Sequence, residues 1–185
     1  MFPVPSPRRP RRWIGFFVVL AVLAAVAIFV PLLYNLSIQL HREQLAEARQ
    51  RWQKCAPQNY DLEYLVRTLH RGQETEYACL VQVRNRRVVL VLCNGDVIYL
   101  DPSLALAAGL GVLALSWGNP NFYDVSALFD EIETALRQDE ATGQRNFAVA
   151  QFDPQDGHPL HYVHRVRGTQ ERVEWNIKLT RISVP

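Results

Sequence analysis

The chain has 185 residues, 49% of them hydrophobic, with 20 Lys and Arg against 18 Asp and Glu for a net charge of +2. That length holds one domain plus an attachment segment rather than two independent domains. Arg8, Arg9, Arg11 and Arg12 lie near the N-terminus, and the rest of the chain carries 16 basic against 18 acidic residues, an interspersed −2 that leaves no electrostatic footprint for nucleic acid and excludes it as a partner.

Residues 1–12 form a basic tail. From Trp13 to Tyr34 the chain reads WIGFFVVLAVLAAVAIFVPLLY, 22 residues without a charge. As a helix this is about 33 Å long, the hydrocarbon thickness of a bilayer. Fourteen of these residues are Val, Leu, Ile or Phe, each favouring insertion by about 0.3–0.6 kcal/mol. Trp13 and Tyr34 stand where amphipathic rings settle at the headgroups. Pro31 lies in the last turn, where losing a backbone donor matters least. A cleaved signal peptide is the alternative, but the Ala-x-Ala at Ala25-Val26-Ala27 lies inside the apolar run, which is longer than a signal's apolar core. The expectation is an uncleaved transmembrane helix over residues 13–34. The arginines crowd the N-terminal flank, and the other flank has none until Arg42. The positive-inside rule therefore places the N-terminus in the cytoplasm and the C-terminal domain outside, in a single-pass protein of the cell membrane with the lipid bilayer as partner.

Residues 35–55 read as a helical stalk. Ile38, Leu45 and Trp52 recur every seven residues, and Glu47 and Arg51 are spaced as a helical pair, which favours a helix packed on its own domain. Beyond Pro57, over residues 56–185, the pattern changes to strands. Tyr60, Leu62, Tyr64 and Val66 alternate on one face, and the runs 77–84 and 87–92 flank a hairpin turn at Asn85-Arg86. Residues 97–100 extend the sheet. Asp124 caps an amphipathic helix with Val125, Leu128, Phe129, Ile132 and Leu136 on one stripe. Residues 147–152 form a strand that ends in the turn sequence Asp153-Pro-Gln-Asp-Gly157. The segments 158–166 and 172–182 pair as a last hairpin around Gly168. This order indicates an α+β fold, a small mostly antiparallel sheet packed with one main helix after the membrane helix and stalk. The uncharged stretch 103–117 is short for a second span and carries two glycines, which favours a buried segment or an apolar surface loop.

Several motifs taken together resemble a widespread bacterial family of small exported domains of unknown function, often lipoproteins. They are Arg51-Trp52, the Y-x-Y strand at Tyr60-Asp61-Leu62-Glu63-Tyr64, Cys79 with Val81 and Val83, the LF-x-x-I helix Val125–Leu136, and the turn Phe152-Asp-Pro-Gln-Asp-Gly-His-Pro159. The chain departs from the family in lacking a lipidated Cys after the apolar run, in lacking a paired Cys-x-Cys near Cys79, and in carrying the apolar insertion before the helix. The resemblance implies an α+β domain tethered to a membrane and brings no known activity.

The candidate sites are few. Asp153, Asp156 and His158 could converge on a metal, but the same Asp-Pro-x-x-Gly sequence is explained by turn formation alone. In a strand, His158 and His164 share a face and His161 points the other way, so the three histidines do not converge. Three cysteines in an exported protein suggest one disulfide and one spare thiol. A three-residue loop at 85–87 sets Cys79 opposite Cys93, a two-residue loop sets it opposite Leu92, and Cys55 is a rival partner for either. Asp130, Glu131 and Glu133 read as solvated charges on the polar side of the helix. No pattern points to a cofactor or to a catalytic constellation. The functional expectation is a non-enzymatic domain at the cell envelope that binds another envelope protein or a small ligand. The alternative is an envelope enzyme or metal-binding protein built on the Asp153, Asp156 and His158 turn.

Overall fold

The computed structural model describes residues 11–37, 39–107, 119–143 and 146–182. Residues 1–39 and 40–185 form two separate compact units. In the first, α1 (Arg11–Ser37) is one 27-residue helix with Pro31 inside it. Its apolar side chains project on every side, with Phe16, Val18, Leu20 and Ile28 between 51% and 67% exposed. Within α1 the described side chains run unbroken only over residues 15–31, a shorter run than the uncharged stretch of the sequence. Among the described residues no helix is long and apolar enough to cross a membrane.

The second unit is α+β, and its described residues form a seven-stranded sheet flanked by helices. The strands are β1 (Tyr60–His70), β2 (Gln73–Arg84), β3 (Arg87–Cys93), β4 (Asp96–Leu100), β5 (Phe147–Phe152), β6 (Pro159–Arg165) and β7 (Arg172–Arg181). Every pairing is antiparallel, in the order β4-β3-β2-β1-β7-β6-β5. The sheet is thus two meanders, β1–β4 and β5–β7, joined where the first strand pairs with the last. Two-residue turns close the first meander at Arg71-Gly72, Asn85-Arg86 and Asn94-Gly95, each with both residues at positive φ, the geometry that matches the twist of a hairpin.

Alternation gives the sheet one apolar face. Tyr60, Leu62, Tyr64 and Val66 of β1 share it with Cys79, Val81 and Val83 of β2 and with Trp175 and Ile177 of β7. Two helices cover that face, α2 (Arg42–Cys55) and α4 (Val125–Thr142). In α4 the expected stripe is buried in full, with Val125, Phe129 and Ile132 completely so. Asp124 caps its start by accepting from the Ala127 N–H at 3.0 Å, and Gly143 ends it at φ 65°, a conformation that favours glycine.

Of the helix expected as a stalk over 35–55, residues 35–37 belong to α1, residue 38 lies outside the described residues, and α2 is part of the domain. Leu40 is buried and donates its N–H to the Ala148 carbonyl of β5 at 2.7 Å, residues 39–41 are not helical, and α2 then starts at Arg42. Leu45, Ala48 and Trp52 pack α2 onto the sheet, so two helices rather than one cover it. The helices run antiparallel, with Arg49 of α2 bonded to Asp130 and Glu133 of α4 at 2.6 and 2.8 Å and Arg42 paired with Glu140. These are surface ion pairs, worth about 0–1 kcal/mol each, so the apolar stripes hold the helices down. Of the apolar stretch 103–117, the first residues form the short helix α3 (Pro102–Ala107), with Ala105 buried and Leu106 exposed. Residues 108–118 lie outside the described residues.

Candidate functional site

The turn after β5 brings Asp153, Asp156 and His158 together, with one ligand-type atom of each within 4.8 Å of the others. Those atoms already have partners. Asp153 Oδ1 accepts the N–H groups of Gln155 and Asp156 at 2.7 and 3.2 Å. Asp156 Oδ1 accepts the His158 N–H at 3.1 Å and lies 2.5 Å from His158 Nδ1. Asp156 Oδ2 accepts from Arg181 of β7 at 2.8 Å, and the same guanidinium reaches the Gln155 amide oxygen. Burial raises the Asp156 carboxyl, but the hydrogen bonds from Arg181 and His158 outweigh it and hold the group below its ordinary value.

The surroundings assign this turn a packing role. His158 is buried with its ring edge-on to Trp52 of α2, at 6.2 Å between centroids, and Trp52 in turn meets Tyr60 at 5.6 Å. Gly157 has φ 85°, and a β-carbon there would overlap the Ala48 carbonyl oxygen of α2. The turn is therefore the surface on which α2 lands, tied to the last strand by a cation already in place. The remaining histidines diverge as alternation requires: His161 lies 3.3 Å from Glu174, while His164 Nε2 lies 2.8 Å from Asp139 Oδ2.

Cys79 and Cys93 form a disulfide with their Cα atoms 4.2 Å apart, and Cys55 is free and exposed. The loop between their strands is the two-residue Asn85-Arg86, since Arg84 pairs with Arg87. Yet Cys79 faces Cys93, because the ladder steps from Val83–Val88 to Gln82–Leu90 and leaves Val89 as an extra residue. The bulge restores the register that a longer loop would have supplied. The short Cα separation is that of a non-hydrogen-bonded antiparallel pair, where facing side chains come closest.

A larger concavity lies elsewhere, between α4 and strands β6 and β7, beside the 3-10 turn Pro120–Phe122, with a volume of about 670 Å³ and both aromatic and polar residues in its lining. Tyr162 and Trp175, ring centroids 4.9 Å apart, form its floor, and Phe122 stands exposed at its rim. Tyr162 is 2% exposed, and its hydroxyl has no hydrogen-bond partner among the described residues. Such a group costs about 1–3 kcal/mol when left unpaired. On the helical wall, Asp130 is committed to Arg49, but Glu131 has no hydrogen bond or ion pair among the described residues. Glu131 is exposed, and partial desolvation raises its carboxyl above the ordinary value, while burial raises the Tyr162 phenol, reinforced by the charges of Asp139 and Glu131. A second hollow of about 590 Å³ lies on the uncovered sheet face among Leu65, Ala78, Leu80 and Leu92. None of its described lining residues has a buried side-chain polar atom without a partner.

The sequence reading missed this cleft. Asp130 and Glu131 are exposed, as the reading of this acidic run as solvated charges expects, and Tyr162 and Trp175 lie on different strands that only the β6–β7 register sets side by side. No protein-family model matches the chain, and no curated protein is significantly similar to it.

Proposed function

We propose that the protein is a single-pass, membrane-tethered binding module of the cell envelope. On this reading α1 is the anchor, the N-terminus is cytoplasmic, and the domain from Leu40 onward works outside, receiving a small ligand in the α4–β6–β7 cleft without catalysis. The observation that carries it is α1, a helix that is apolar on every side and exposes those side chains. A helix of that kind is stable in a core or in lipid, and among the described residues of its own unit none is buried. The full uncharged stretch from Trp13 to Tyr34 supplies the length.

Two further features support the compartment. A disulfide between Cys79 and Cys93 persists in oxidising surroundings and is rare in the cytosol. The motifs shared with small exported domains point the same way. An envelope enzyme or metal-binding protein built on Asp153, Asp156 and His158 is the second reading, favoured by the closeness of their ligand atoms. Against it, Arg181 and the turn's own N–H groups already hold those oxygens.

Membrane fractionation tests the proposal. The intact chain should stay in the membrane pellet through an alkaline carbonate wash and leave it only with detergent. Recovery of the chain, with its original first residues, in the soluble fraction without detergent would remove the anchor. Stoichiometric metal in the purified protein, lost in His158→Ala, would move the assignment to the second reading.

A further inference from the structure

The cleft between α4 and strands β6 and β7 has a definite electrostatic sign. None of its described lining residues is Lys or Arg, while Asp130 and Glu131 both face it. Asp130 is neutralised by Arg49, which leaves Glu131 as the uncompensated charge. The cleft's histidine, His164, is bonded through Nε2 to the Asp139 carboxylate, which adds a further negative group beside the cleft. The floor is aromatic, Tyr162 on Trp175, and Phe122 adds an exposed ring at the rim. Aromatic faces beside a lone carboxylate attract organic cations and repel carboxylates and phosphates. The Tyr162 hydroxyl is buried and has no partner among the described residues.

We propose that this cleft binds a small organic cation, an ammonium group carried on an apolar or aromatic body, with Glu131 as its counter-charge. The body lies between the aromatic floor and the exposed ring of Phe122. This rests on the reading of the cleft as the ligand site and adds the ligand's chemical class. Glu131 is exposed at the cleft and has no hydrogen bond or ion pair among the described residues, so its carboxylate is open to the cation.

The test uses the full-length protein in a non-ionic detergent and three probes of similar shape: phenethylammonium, 2-phenylethanol and 3-phenylpropionate. Binding is read by calorimetry and by the shift in melting temperature, for the wild type and for Glu131→Gln. Glu131 makes no contact that holds the fold, so the variant should melt as the wild type does without ligand. Phenethylammonium should bind best, the propionate should not bind, and Glu131→Gln should weaken the cation at least about tenfold, an effect that shrinks with added salt. If the neutral alcohol binds as tightly as the cation and Glu131→Gln changes nothing, the cleft is a ligand site and the cation assignment is overturned. Preference for the propionate overturns it too. If none of the three binds, both the cation and the cleft as ligand site fall, while the membrane anchor stands on its own test.

Discussion

Asp156 shows how a residue that suggests a metal ligand can serve packing instead. Its carboxylate is 2% exposed and receives Arg181 on one oxygen and His158 on the other. Asp156→Asn removes the charge and replaces one of the two acceptor oxygens with an NH2 group, so either the guanidinium or the imidazole faces a donor, at a cost of about 2 kcal/mol near neutral pH. The pH dependence has a definite sign. The folded pKa of Asp156 lies below its ordinary 3.8, so the stability it contributes is complete above that value and is lost as pH falls through the folded pKa. The stability gap between wild type and Asp156→Asn, measured by urea unfolding, should therefore be constant from neutrality down to about pH 5 and close below about pH 4. A gap that persists unchanged into acid would show that Asp156 does not act as a charged group. The residues of this turn are legible in sequence, since Asp-Pro-x-x-Gly specifies the chain reversal. Its use is not legible, because the Trp52 ring and the Ala48 carbonyl that rest on it belong to a helix far earlier in the chain.

Among the elements, those whose signal is local are the ones the sequence reveals. The α4 stripe, its Asp124 cap and the alternation of β1 follow directly from periodicity. Register is where local reading stops. The loop length at Asn85-Arg86 taken alone would set Cys79 opposite Leu92, and only the bulge at Val89 brings Cys93 into place. Arg71-Gly72 and Asn94-Gly95 were available as turn signals for the flanking hairpins. The role of α2 was half legible: its heptad spacing shows a packed helix, but that the domain begins at Leu40 depends on a backbone bond to β5. The disulfide ties β2 to β3 across a sequence separation of 14. For a loop of about 15 residues, constraint of the unfolded chain is worth about 3 kcal/mol. Reductant should lower the domain's stability by about that amount, as should Cys79→Ala with Cys93→Ala, while Cys55→Ala changes little because that thiol is exposed and free. Equal melting with and without reductant would show that the crosslink contributes nothing.

On the scale of the whole molecule, the chain divides into an apolar helix and an α+β domain with a cleft of its own. The proposed function joins these by placing the first in lipid and the second in an oxidising compartment. The three cysteines supply a direct reporter of that arrangement, since Cys55 is exposed at the end of α2 while Cys79 and Cys93 are bonded to one another. The decisive measurement is labelling of the native protein in intact spheroplasts with a membrane-impermeant maleimide. Cys55 should be labelled once per chain with the membrane sealed, and denaturation with reductant should raise the total to three. Labelling of Cys55 only after the membrane is opened, with Cys79 and Cys93 already reactive without reductant, would place the domain in the cytoplasm and contradict the account.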